Sequence, residues 1–227
     1  MKTISCIIPA FNEEATLNVV LNAVAPLIGS HLQEVIVVDD GSKDSTRECA
    51  DAFENVTVVS HKTNTGKSKT VVDGIKMAHG EYILLLDADL LHLTSENVID
   101  LLESIKNGVA DMSISYRKNA WPLFPFTAID YLSGERILPR DVIENSLEEM
   151  EKLPGYGLEV FLNRIIIKEQ LRICVVQWPN VENAFSQYKQ GRVSGLKTSL
   201  TVWFDVLSVI SIWEMYLQNI RLRKLLV

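Results

Sequence analysis

The chain has little of what would place it in several familiar classes. Its 227 residues hold three cysteines, Cys6, Cys49 and Cys174. They are widely spaced and form no Cys-x-x-Cys pair. That excludes a disulfide-framed scaffold and gives a zinc site nothing to start from, so the thiols read as reduced groups of a cytoplasmic protein. No window reaches the ~18 uninterrupted apolar residues that suggest a membrane span. The opening MKTISCIIPAFNEE is too briefly apolar, and too soon acidic, for a secretory leader. Positive charge is not in excess either. A formal net charge of −7 argues against a general nucleic-acid binder. Repeats and low-complexity segments are absent from the sequence.

What is there is an ordinary globular composition, 47% hydrophobic and 22% charged, long enough to bury a core without cross-links. Short β-branched runs alternate with helical patterns. Strands are expected at Ile4–Ala10, Glu34–Asp40, Val56–His61, Tyr82–Asp87, Met112–Arg117 and Ile173–Trp178. Helices are expected at Glu13–Leu27, Ser45–Phe53, Ser68–His79, Ser95–Asn107, Asp141–Lys152 and Leu158–Glu169. Runs that are apolar throughout, VIVV and YILLL, suit a parallel sheet buried on both faces. The alternation predicts an α/β fold with right-handed crossovers. After Arg117 the regularity stops. The Pro- and aromatic-rich stretch AWPLFPFTAIDYLSGERILPRD reads as a surface loop over a site.

The tail from Leu200 to Val227 is expected to form one long amphipathic helix. Trp203, Val206, Leu207, Ile210, Trp213 and Leu217 share one side, with Thr201, Asp205, Ser208 and Gln218 mostly on the other. Its end, RLRK, is basic. Such a helix packs on its own domain or on a second subunit, or lies in a membrane interface. Asp205 and Glu214 speak against a span.

Two acidic motifs stand at strand ends, the edge at which open α/β sheets bind ligands. In DAD at 87–89, alternate residues of an extended segment point the same way. Asp87 and Asp89 can therefore converge on one divalent cation and the phosphates it carries. The competing explanation is a turn in which aspartates cap the following backbone. In VVDDGS at 37–42 one carboxylate could accept a hydrogen bond from a base or ribose; equally, Asp, Gly and Ser could simply build a turn and a helix cap. HKTNTGKS at 61–68 imitates a phosphate-binding P-loop, but His61 stands where the leading Gly is needed. Lys67, near a helix start, could still meet a phosphate.

In order and spacing, IIPAFNEE, VVDDGS, NTGKSKTVVDGI and LLLDADL resemble the signature of family 2 glycosyltransferases. The resemblance covers residues 4–117 and continues through LSGERILPRDV and GYGLEVFL to about residue 170. Its nearest flavour is that of polyprenyl-phosphate and phosphoglycerate-type sugar transferases. It implies a GT-A fold, a mostly parallel sheet between helices. A domain at 1–198 would divide into a nucleotide-binding half, 1–117, and an acceptor half, 118–198, followed by the amphipathic helix 199–227. It implies a UDP- or GDP-sugar donor, Mg²⁺ or Mn²⁺, and inversion at the anomeric carbon. Pro9, Ala10, Phe11 and Glu13 match the loop that frames the nucleoside. Val38 and Asp40 match positions that meet the base, leaving Asp39 a structural part. Lys67 matches a basic residue near the nucleotide, and Asp87, Ala88 and Asp89 the metal-binding triplet. Dolichyl-phosphate-using members carry a metal-binding Gln two residues further on; here that position is Leu91, followed by His92. Arg117 and Arg136 match basic positions near phosphates. The catalytic set is thus Asp89, Arg117, Arg136 and Glu159, with Glu135 and Asp130 as further candidates for general base. An acceptor phosphate, already ionised, would need none.

The acceptor is expected to be a lipid phosphate at the inner face of a membrane, touched by residues 200–227, or a small phosphorylated molecule such as a glycerate, with the tail then joining two copies. A non-catalytic nucleotide-sugar-binding module is the third class.

Overall fold

The computed structural model describes residues 2–120, 129–154, 157–184 and 204–227. WPLFPF, Thr201, Trp203 and the expected boundary at 198/199 lie outside the described residues. The first four parallel strands are β1 (Ile4–Ala10), β2 (Glu34–Asp39), β3 (Val56–Ser60) and β4 (Tyr82–Leu85). After the short β5 (Leu90–Leu91) come β6 (Met112–Arg117), β7 (Arg136–Pro139), β8 (Ile173–Trp178) and the short β9 (Glu182–Asn183). Seven of them make one sheet in the order β3-β2-β1-β4-β7-β6-β8, and β5 pairs with β9. All neighbours in the large sheet are parallel except β7, which runs antiparallel between β4 and β6. The sheet is continuous through both expected halves of the domain.

The helices are α1 (Leu17–Val24), α2 (Thr46–Asp51), α3 (Lys67–Met77), α4 (Ser95–Lys106), α5 (Asp141–Glu144), α6 (Leu147–Met150), α7 (Gly157–Lys168) and α8 (Ile212–Arg223). They cover the sheet on both sides. One core joins sheet residues Ile7, Val38 and Ile83 to Val71 and Ile75 of α3 and Leu158 and Leu162 of α7. The opposite core joins Ile8, Val37 and Leu84 to Val20 and Leu21 of α1 and Leu101 and Leu102 of α4. Adjacent residues of one strand therefore enter different cores, which is why the central strands read as unbroken apolar runs.

Four expectations need correction. Residues 129–140 are no surface loop: Ile129 through Leu138 are buried, and Arg136–Pro139 is a strand in mid-sheet. Ile137 faces one core and Leu138 the other, so two consecutive apolar residues suffice for a strand sandwiched between neighbours. Pro139 ends it, where a lost donor costs least. Helix α1 starts four residues late and gives way to a 3₁₀ turn at Ala25–Leu27, with Pro26 at its start, as a residue without N–H requires. Asp141–Lys152 is not one helix but two short ones, α5 and α6.

The tail is not a single helix either. Residues 204–209 are helical, the backbone breaks at 210–211, and α8 restarts with the Ser211 hydroxyl accepting from Glu214 N–H. Its faces also differ from the expectation. Met215, Gln218, Asn219 and Leu222 point inward, whereas Trp213 is 68% exposed. A buried Gln is invisible to hydrophobic periodicity because its burial depends on a distant partner.

Candidate active site

The parallel strands β1, β2, β4 and β6 end at one edge, and there the singled-out residues gather. Arg136 opens β7 opposite Leu85, the last residue of β4, and Arg117 closes β6. Just past β4, Asp87 and Asp89 flank the buried Ala88. Lys67 is the first residue of α3, entered through Gly66 at φ +97°, and Glu159 lies in the first turn of α7.

Lys67 does not wait for a phosphate. Its Nζ stands 2.8 Å from Asp87 Oδ1 and 2.8 Å from Glu159 Oε1. Burial disfavours its charge, but Asp87 and Glu159 overcome that and push its pKa well above the ordinary value. Asp87 answers in kind: burial would raise its pKa, yet Lys67, helped by Arg117 and Arg136, holds it below the usual carboxylate range. Glu159 is 2% exposed, and its Oε2 has no hydrogen-bond partner among the described residues. Pro9, Lys67, Asp87, Gly134, Arg136 and Glu159 line a small cavity at this point.

The two arginines are not equivalent. The Arg117 guanidinium is committed, with Nη2 2.9 Å from Asp130 Oδ2 and Nε 3.0 Å from Glu135 Oε2. It pairs with two buried carboxylates and also acts on the charge of Asp87. Asp130 and Glu135 are equally occupied. Burial lifts Glu135 to about 7, with Arg117 opposing and Asp87 adding; burial also raises Asp130 against the pull of Arg117. Arg136 is different. Its Nη1 donates to Asn163 Oδ1 at 3.1 Å, its Nε to Ser133 C=O at 3.1 Å, and its Nη2 also to Ser133 C=O. All these acceptors are neutral, although Glu159, Asp130, Glu135 and Asp87 lie near enough to favour its charge against burial.

At the nucleoside end, several residues expected to face the ligand also make scaffold contacts. The Val38 side chain is fully buried in the core, so only its backbone can reach a base. Asp40 is clamped: Oδ1 accepts from Thr65 N–H and Thr65 hydroxyl at 2.8 Å each and lies 2.8 Å from His61 Nδ1, and Oδ2 accepts from Gly66 N–H at 2.8 Å. It ties β2 to the 61–66 loop that launches α3. Asp39 Oδ1 accepts from Ser42 N–H at 3.0 Å and holds the turn. The Glu13 carboxylate accepts from the Thr16 hydroxyl, and its N–H donates to Thr46 Oγ1 at 2.7 Å. Pro9 stays at the cavity, Ala10 is buried, and Phe11 is 40% exposed.

Sequence reasoning missed Asn183 and Gly134. Asn183 Nδ2 donates to Asp89 Oδ1 at 2.7 Å, a meeting made by the β5–β9 pairing that no local signal announces. Gly134 packs so closely on Asp87 that a Cβ there would collide with the carboxylate. The donor set of the triplet, two carboxylates held in place beside a cationic edge, suits a hard divalent cation whose other ligands come from a diphosphate. Among the described residues no third His, Cys, Asp or Glu joins them. Leu91 is a strand residue paired with Glu182, and His92 stands at φ +61°.

The sheet order and its acidic carboxyl edge define a nucleotide-diphospho-sugar transferase fold of the GT-A type. The chain belongs to glycosyl transferase family 2, whose model matches residues 5–153. Over 117 residues it is 35% identical to a dolichol-phosphate mannosyltransferase of Pyrococcus furiosus, covering 50% of this chain and 33% of that protein. It is 25% identical over 178 residues to a dolichyl-phosphate β-glucosyltransferase of Dictyostelium discoideum, covering 73% and 50% respectively. The matched stretches thus span half or less of these relatives' own length. Glucosyl-3-phosphoglycerate synthase of Mycobacterium tuberculosis, solved with Mn²⁺, uridine diphosphate and phosphoglyceric acid, superposes with a TM-score of 0.73 at 24% identity, covering 92% of this chain and 78% of that one. A likeness at that identity establishes the fold.

Proposed function

We propose that the chain transfers a sugar from a UDP- or GDP-sugar to a phosphate-bearing acceptor, with inversion at the anomeric carbon. The observation that carries this is the cluster at the cavity, where Lys67 Nζ stands 2.8 Å from both Asp87 and Glu159. A second carboxylate beside the metal-binding triplet suits a displacement, Asp87 serving the leaving group and Glu159 the acceptor. Asp87 and Asp89 would hold Mg²⁺ or Mn²⁺, which supplies charge neutralisation at the departing diphosphate. Lys67, released from Asp87 as the diphosphate enters, and Arg136, hydrogen-bonded only to neutral acceptors among the described residues, bind the same oxygens and add preorganised positive charge. Where the acceptor oxygen is a hydroxyl, Glu159 Oε2 takes its proton; where it is a phosphate, no base is needed. Asn183 keeps Asp89 oriented throughout.

For the acceptor, the outward face of the tail supports a lipid phosphate. Phe204, Leu207, Ile212, Trp213, Tyr216 and Ile220 are exposed, Trp213 stacks on Tyr216 with ring centroids 5.7 Å apart, and Arg221, Arg223 and Lys224 follow. Aromatics beside basic residues suit an anionic bilayer surface. No described helix is long and apolar enough to cross a membrane, so the contact would be peripheral. The phosphoglycerate-type structure supports the second acceptor class, a small phosphorylated molecule, with the same face then joining two copies. Flotation with anionic liposomes separates them: Ile212, Trp213 and Tyr216 replaced together by Ser should abolish flotation without changing the mass in solution. Loss of a dimer instead would support the second class. The donor is tested by a thermal-shift panel of nucleotide sugars with Mn²⁺. Specific binding raises the melting temperature by mass action, and a flat panel would refute the donor assignment.

A further inference from the structure

The tail helix reaches the cavity through a chain of buried polar groups. Gln218 of α8 is 2% exposed, and its Oε1 accepts from the Tyr131 hydroxyl at 2.5 Å. The Tyr131 carbonyl accepts from Asn163 Nδ2 at 3.0 Å, and Asn163 Oδ1 accepts from Arg136 Nη1 at 3.1 Å. Each member is nine-tenths or more buried. Burial raises the Tyr131 pKa, so the phenol remains a donor at any working pH. A Gln among apolar residues costs stability unless its amide is paired, and an apolar residue would fill this place more simply. The tail is already held without it: Met215 and Leu222 enter the core, Arg164 Nη2 donates to Val209 C=O at 2.8 Å, and Ile173 N–H donates to Leu225 C=O at 2.8 Å. What Gln218 adds is direction, since it fixes the Tyr131 ring and, through the same residue's backbone, the amide that orients Arg136.

We propose that Gln218 and Tyr131 are positioning residues for Arg136, so that docking of the C-terminal helix is part of the site's arrangement. This deepens the transferase assignment, on which only its ligand-binding consequence rests. Arg136 lines the cavity and, among the described residues, hydrogen-bonds only neutral acceptors. With Ser133 C=O taking Nε and Nη2, Asn163 is what sets the remaining nitrogen. Loosening Tyr131 therefore turns the guanidinium within the cavity.

The test uses the full chain in two measurements. The first follows the Arg136 Nε–H resonance, assigned by its loss in Arg136→Lys. It should shift or broaden in Tyr131→Phe and in Gln218→Met, which is close in size and keeps the core filled. It should recover in Gln218→Glu, which keeps an acceptor, and stay put in Trp213→Ala on the outer face of the same helix. The second measures Mn²⁺-dependent affinity for UDP and GDP. Tyr131→Phe and Gln218→Met should each weaken it about three- to tenfold and add nothing further to Arg136→Lys, as expected of coupled residues. An unmoved Arg136 signal overturns the proposal, and so does a weakening that adds fully to that of Arg136→Lys. If wild type binds neither nucleotide while the signal still moves, the transferase assignment fails and the link from Gln218 to Arg136 stands.

Discussion

Gly134 sits against the Asp87 carboxylate with room for a hydrogen and nothing larger. Alanine there must displace either Asp87 or the 133–135 turn, and a misplacement near 1 Å in an active site costs about 100-fold in rate. Gly134→Ala should therefore cut sugar transfer by about that factor and cost about 1–3 kcal/mol of stability through overpacking, read as a lower urea midpoint. An unaltered rate would mean that Asp87 need not be held where it is. Glu135 offers a test through pH. Burial lifts its carboxyl to about 7 against Arg117, with Asp87 and Asp130 adding, above the ordinary value near ~4.3. The folded state then holds a proton that the unfolded chain has released, so stability falls as pH rises between about 4.3 and 7. Asp40 and Asp87 have lowered values, and the stability they contribute is lost only in more acidic solution. Glu135→Gln should flatten stability across that window in urea titrations. An unchanged slope would place the proton elsewhere.

At the scale of elements, what the sequence made legible and what it hid have physical causes. β1, β6 and β8 have the expected ends because each apolar run is bounded by polar or turn residues. The acidic strand ends were legible for the same reason, since Asp87 and Asp89 follow YILLL directly. β7 was hidden by its brevity: four residues beginning with a buried Arg look like loop until β4 and β6 are known to lie on either side. Asn183 was hidden because its partner, Asp89, is 94 residues away. Arg117 and Asp40 were placed correctly at the edge, but residue type alone does not tell a ligand contact from an internal tie. Only the partners decide that, Asp130 and Glu135 for one, Thr65 and Gly66 for the other. The tail departs from its pattern because Trp213 and Leu207, expected on one side with Val206 and Ile210, are exposed while those two are buried. That assignment is tested by paired substitutions in α8. Met215→Ala should destabilise the fold by about 2–5 kcal/mol, whereas Trp213→Ala should stay within about 0.5 kcal/mol. Urea denaturation giving the reverse order would turn the helix around.

Taken as a whole molecule, the protein places a continuous seven-stranded sheet between two cores and sets its chemistry at one edge. Lys67, Arg117 and Arg136 are interleaved there with Asp87, Asp130, Glu135 and Glu159. Part of this network only neutralises itself, which lets β7 carry charges through the middle of the fold. The remainder, Asp87, Asp89, Lys67, Arg136 and Glu159, is the proposed transfer site. The most direct measurement is release of nucleoside diphosphate from UDP- and GDP-sugars with Mn²⁺ and a phosphate-bearing acceptor, lipid or small, comparing wild type with Asp89→Ala. The account predicts that one donor is consumed only when metal and acceptor are both present, and that Asp89→Ala, whose melting temperature stays near wild type, releases none. Consumption that continues undiminished in Asp89→Ala, or no consumption of any donor by wild type, would contradict it.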